Sequence, residues 1–228
     1  MIRTGLRDIP LNDYALGILE EAEWFVQNEN YKKVRLTCER NLNQRDADHF
    51  TGEKYFQQIK SMGTAHDGFP EVIVAHSFGE NNIRFADNTD SQVVGGEINK
   101  YLMGTIEKLA KTFCLRKNAL FAIYPPGGYI SWHNNANAPA YNFIFTWSET
   151  GDGWFKYWDT EKQEIITIPD KKGWQCKAGY FGAYAQPKET LCYHAARTDC
   201  LRMTVAFTLS MDEVSIGLQD GIIEDITE

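Results

Sequence analysis

His133 and His194, 61 residues apart, are the side chains of this sequence best suited to holding a metal. The first closes the segment IYPPGGYISWH and the second sits in CYHAARTDCLRMTVAF. Both lie among short β-like runs. A β-sandwich or barrel brings strands distant in sequence side by side, so the two imidazoles can share one cation. Beyond His194 the run 202–209 alternates strictly: Arg202, Thr204, Ala206 and Thr208 share one face of a strand, and Met203, Val205, Phe207 and Leu209 share the other. A guanidinium and a hydroxyl two residues apart on one face can grip a carboxylate from one side.

In this order the segments resemble the Fe(II)- and 2-oxoglutarate-dependent dioxygenases, the prolyl-hydroxylase-like branch in particular. Tyr124-Pro-Pro-Gly127-Gly128-Tyr-Ile-Ser-Trp-His133 is similar to the family's approach to its first ligand. TWSETGDGWFKYWD (146–159) resembles the strand, acidic Gly turn and strand that follow, and CKAGYFGAY (176–184) resembles the strand leading to the distal histidine. His194 with Arg202-Met-Thr204 resembles that histidine and the clamp on the far carboxylate of 2-oxoglutarate. The likeness spans roughly residues 119–210, and the four-part order is more specific than any one part.

The resemblance implies a double-stranded β-helix (jelly-roll) core, Fe(II) held by His133, Asn135 and His194, and 2-oxoglutarate secured by Arg202 and Thr204 with Tyr124 adding a hydrogen bond. It implies hydroxylation of a small-molecule or peptide substrate, with succinate and CO2 as co-products. Two departures matter. Arg202 follows His194 by eight residues, where the family spaces them by about nine to eleven; a shortened turn through 195–200 accommodates this, and the rival Arg197 falls in that turn without a following hydroxyl. Asn135 stands where the family has a carboxylate. An amide oxygen brings no charge and holds a hard cation less tightly, which leaves open a ligand Asn135, a water or anion in its place, or a site without turnover. Asp152, in a TGDG turn, and Asp159, at a strand end, are no better placed. A jelly-roll module that binds a metal or carboxylate without turnover is the competing reading, and halogenation is a variant that the size of asparagine disfavours.

The elements that must position these residues are mainly β with flanking helices. Runs 119–124, 140–147, 153–159, 164–168, 174–184, 190–194 and 201–209 are short, rich in aromatic and β-branched residues, and punctuated by PPGG, TGDG, PDKKG and QPKE. Residues 12–28 have helical character, with Asn12 or Asp13 as cap and Leu16, Leu19, Ala22 and Phe25 on one face. Over 97–115, Ile98, Leu102, Ile106, Leu109 and Phe113 form the stripe of an amphipathic helix that buttresses the sheet. Residues 31–90 carry no assignable pattern, and His49, His66 and His76 there are assigned to surface or core. The expectation is a single domain over 1–228: a mixed helical portion to 118, the jelly-roll core over 119–210, and an acidic C-terminal tail from 211. Trp132, Trp147, Trp154, Trp158 and Tyr141 belong to the core or to a substrate mouth.

Six acids and no Lys or Arg fall in 211–228, so the net charge of −8 leaves −2 for the rest, a surface with no broad attraction for nucleic acid or anionic membrane. No apolar run has the length of a bilayer span and the first residues lack a signal-peptide core, so the expected location is the cytoplasm. Cys38, Cys114, Cys176, Cys192 and Cys200 are odd in number with no CxxC spacing and are expected to be reduced, structural thiols.

Overall fold

Strands buried on both faces need a covering layer on each side, and that requirement orders this chain. The computed structural model describes residues 5–28, 44–77, 89–115, 117–136, 141–182, 191–210 and 212–228. Its strands are β1 (Gly5–Ile9), β2 (Ile73–Val74), β3 (His76–Ser77), β4 (Lys117–Tyr124), β5 (Tyr129–His133), β6 (Tyr141–Ser148), β7 (Gly153–Asp159), β8 (Glu164–Pro169), β9 (Gly173–Tyr180), β10 (His194–Thr198) and β11 (Arg202–Leu209). The helices are α1 (Asp13–Gln27), α2 (Gln44–Phe50), α3 (Glu53–Met62), α4 (Thr89–Thr112) and α5 (Glu213–Thr227). Every strand pairing is antiparallel, in a six-stranded sheet ordered β1-β9-β6-β11-β4-β3 and a five-stranded sheet ordered β2-β5-β10-β7-β8. Along the chain β4, β5, β6 and β7 alternate between the two sheets, as do β8, β9, β10 and β11.

The alternation along β11 divides the layers. Met203, Val205, Phe207 and Leu209 join Phe143, Phe145 and Trp147 of β6 on the outer face of the larger sheet. That face is covered by Ile18, Leu19 and Ala22 of α1 and by Leu102, Ile106 and Leu109 of α4, with Phe113 just beyond it. The other face, with Thr204 and Ala206, looks inward between the sheets. Outside the smaller sheet, α3 packs Tyr55, Phe56 and Ile59 against Trp132 and Trp158. No helix among the described residues is long and apolar enough to cross a membrane.

Three expectations need correction. The segment from 211 is not a tail: α5 is capped by the Asp212 carboxylate, which accepts from Ser215 N–H at 2.8 Å, and it buries Ile222 and Ile226 in the main core. Asn12 ties its end to α1. The Asn12 side chain accepts from Ala15 N–H, and the same residue donates from its backbone and side-chain nitrogens to the carbonyls of Ile226 and Asp225. The run expected over 190–194 begins as a strand only at His194, because residues 194–198 pair with β7. The turn before Arg202 is thereby confined to a few residues, with Thr198 Oγ1 accepting from Cys200 N–H. Cys176, Cys192 and Cys200 are buried free thiols, but Cys114 is exposed; Cys38 and the side chains of Phe25, His76 and Ile98 lie outside the described residues.

Candidate functional site

His194 and His133 are direct cross-strand partners in the register of β10 and β5, with ring centroids 4.0 Å apart. Simple alternation would not put them on one face. Ile130 of β5 faces inward while Trp132 faces α3, so strict period two from Ile130 would turn His133 outward. A β-bulge intervenes: one residue lies between His194 and Ala196 on β10, whereas two lie between their partners His133 and Ile130 on β5. The extra residue re-aims His133 into the space between the sheets.

Each imidazole is held the same way. His133 Nδ1–H donates to the Ser131 carbonyl at 2.8 Å, and His194 Nδ1–H donates to the Cys192 carbonyl at 3.0 Å. With Nδ1 carrying the proton, Nε2 keeps its lone pair, the form that ligates a metal. Burial pushes the His133 pKa down to about 4, and burial followed by the adjacent His133 holds His194 well below the ordinary range, so both rings are neutral near pH 7. His66 is also buried and close enough to depress His133, a neighbour that its unpatterned segment did not disclose. Its tautomer is the opposite one, because Nδ1 accepts from Gly68 N–H at 3.0 Å.

β5 ends at His133, so Asn135 does not share its face by strand alternation. Asn135 instead adopts φ +63°, which asparagine tolerates better than most residues, and reaches the same cavity through that kink. The kink is clasped from outside: Asn134 N–H donates to the Gly68 carbonyl, and Asn134 Oδ1 accepts from Ala136 N–H. Gly68 sits at φ +85°, where an added Cβ would lie 2.4 Å from Ala136 N, so glycine is required. This contact sets Phe69 and Pro70 at the cavity wall.

The cavity between the sheets has a volume of about 270 Å³. His133, His194, Asn135, Tyr124, Arg202 and Thr204 all line it, so all six residues singled out in the sequence converge on one space. Arg202 is 2 % exposed, and its guanidinium lies 5.5 Å from the centre of the Tyr124 ring. Burial pushes Tyr124 up to about 12 despite that cation, so its phenol remains a hydrogen-bond donor. Among the described residues no carboxylate lines the cavity, and no three His, Cys, Asp or Glu side chains gather to hold a metal. The residues therefore offer two imidazole nitrogens and the amide groups of Asn135 and Asn142.

Other candidates fall away. Arg197 lies in β10, not in a turn, and points to Asp48 at 2.5 Å and Asp199 at 3.9 Å. Asp152 accepts from Thr150 Oγ1 within its turn, and Asp159 accepts from the N–H groups of Glu161 and Lys162. The aromatic residues form no mouth: Tyr141 and Trp147 sit in the main core, while Trp132 and Trp158 pack on α3 with Trp154 at their edge. Missed in the sequence was Asp170, read there only as part of a PDKKG turn, whose carboxylate accepts from Arg202 Nε–H at 2.8 Å.

No protein-family model and no curated protein matches the chain. Among solved structures, a viral collagen prolyl hydroxylase from Paramecium bursaria Chlorella virus-1, in its 2-oxoglutarate complex, is similar at 14 % identity and TM-score 0.33, over 69 % of this chain and 90 % of that one. A prolyl-4-hydroxylase from Pseudomonas putida is similar at 12 % identity and TM-score 0.29, over 55 % and 68 %. A dioxygenase for auxin oxidation from Arabidopsis thaliana, bound to 2-oxoglutarate, is similar at 12 % identity and TM-score 0.24, over 53 % of each chain.

Proposed function

We propose that this chain is an Fe(II)- and 2-oxoglutarate-dependent oxygenase with a jelly-roll core, hydroxylating a small-molecule or peptide substrate. The observation that carries the reading is the pair of neutral imidazoles, each freed at Nε2 by a backbone carbonyl, on the same cavity as a buried guanidinium. The interleaving of eight strands, β4 to β11, between two sheets is the topology expected of a jelly roll. In this reading Fe(II) with 2-oxoglutarate supplies the oxidising chemistry, and succinate and CO2 leave as co-products.

The protein's own residues do the rest. His133 and His194 anchor the ion, and the carbonyls of Ser131 and Cys192 fix the tautomer and ring orientation that anchoring needs. Asn135 offers its amide oxygen from the kink after β5, a neutral third contact in place of a carboxylate. Arg202 and Thr204 take the far carboxylate of the co-substrate, and Tyr124 donates a hydrogen bond beside them. Phe155 and Phe181 wall His194 at ring-centre distances of 5.7 and 4.5 Å and keep that side of the site dry. A second reading, a metal- or carboxylate-binding module without turnover, draws on the absence of a carboxylate from the cavity lining among the described residues.

One assay separates the two. Iron-loaded protein mixed anaerobically with 2-oxoglutarate should develop a weak visible charge-transfer band, and admitting oxygen should then release succinate. A band without succinate supports the binding module, and no band refutes both.

A further inference from the structure

Among the described residues, Asp170 is the buried carboxylate beside the cavity that the proposed function does not use. It stands behind Arg202, with its side chain 0 % exposed against 3 % for the arginine. Oδ2 accepts from Arg202 Nε–H at 2.8 Å, and Oδ1 accepts from Gln175 Nε2 at 3.3 Å, while Gln175 Oε1 accepts from the buried Lys177 Nζ at 2.9 Å. The backbone makes room for this carboxylate. A Cβ added to Gly153 would lie 2.5 Å from Asp170 Oδ2.

A guanidinium carries five N–H donors in a fixed plane: one on Nε and two on each terminal nitrogen. In Arg202 the Nε donor goes to Asp170, one Nη1 donor goes to Thr204 Oγ1 at 2.5 Å, and one Nη2 donor goes to Thr146 Oγ1 at 3.5 Å. Two donors remain, one on each terminal nitrogen, and that pair matches the two oxygens of a carboxylate approached end-on. Without Asp170, Nε would be unpartnered and the plane free to rotate about its stem, so a ligand carboxylate could be met edge-on, by Nε and one terminal nitrogen.

We propose that Asp170 is the positioning residue of the carboxylate clamp: by taking Nε–H it presents the two-nitrogen end of Arg202 to the cavity and sets the site's preference for a keto acid with a second carboxylate. This rests on the reading of the cavity as a 2-oxoglutarate site. Asp170 touches neither the ion nor the ligand and acts through Arg202.

The test is an anaerobic titration of the Fe(II)-loaded protein with 2-oxoglutarate and, separately, with 2-oxobutyrate, which lacks the distal carboxylate, following the charge-transfer band. Asp170→Ala should weaken 2-oxoglutarate binding by roughly 10–100-fold while changing 2-oxobutyrate binding by no more than about twofold. Gly153→Ala, which displaces the carboxylate without removing it, should shift the same ratio in the same direction and decides the matter if Asp170→Ala does not fold. Equal weakening of both keto acids marks a merely structural role and overturns the proposal, as does no change in either. Wild-type protein that binds neither keto acid would instead remove the 2-oxoglutarate reading, and the proposal with it.

Discussion

At the scale of single residues the site is a pair of imidazoles with an amide where a charge would be expected. Asn135 already lines the cavity, so a carboxylate there needs no change of backbone, and aspartate also tolerates a positive φ. Asn135→Asp should therefore tighten Fe(II) retention against a competing chelator by at least about tenfold, because an anionic oxygen is added to two neutral nitrogens; unchanged retention would place residue 135 away from the ion. Arg202 and Thr204 were legible in the sequence through the period-two alternation of 202–209, the histidines through residue type, and Tyr124 through the resemblance of its segment. Asp170 was not, because a carboxylate beside lysines and a glycine reads as a turn, and only the fold puts it behind an arginine 32 positions away. His66 was hidden for the same reason.

At the scale of elements, β5 does the positioning, and it is braced from outside. Phe56 is fully buried against Trp132, Trp158 and Tyr193, and Trp132 Nε1–H donates to the Thr51 carbonyl between α2 and α3. Phe56→Ala should cost about 3–5 kcal/mol of unfolding free energy in a denaturant titration; a cost near zero would show that α3 does not hold the strand. The amphipathic stripe of α4 and the aromatic strands were readable from periodicity. The bulge in β5 was not, since one extra residue in a ladder leaves no mark on the pattern of residue types, yet it decides which way His133 faces. The helices α2 and α3 escaped notice because they are short, and β10 was displaced because its backbone pairs through a segment that composition marks as a turn.

At the scale of the whole molecule, the two histidines proposed to hold the metal also bear on stability. With His133 near 4 when folded and 6.5 when free, the unfolded chain binds a proton that the folded one refuses between those values. The contribution is complete above about pH 6.5 and is lost as pH falls through 4, on the order of 3 kcal/mol in metal-free protein, with His194 acting in the same direction. Denaturant unfolding at pH 7 and pH 4.5 should show this loss, and His133→Phe should flatten it; an equal slope in that variant would contradict a buried neutral ring. The α5 helix is a molecular-scale lesson in reading charge, since six acids in 211–228 suggested a solvated tail while its two buried isoleucines dock it on the core. The most direct test of the account is the number of Fe(II) ions bound per chain under anaerobic conditions. One ion should bind to the wild type and to a control altered at the exposed His49, and none should be retained by His133→Ala or by His194→Ala; retention of the ion by either histidine variant would contradict a site in which both rings hold it.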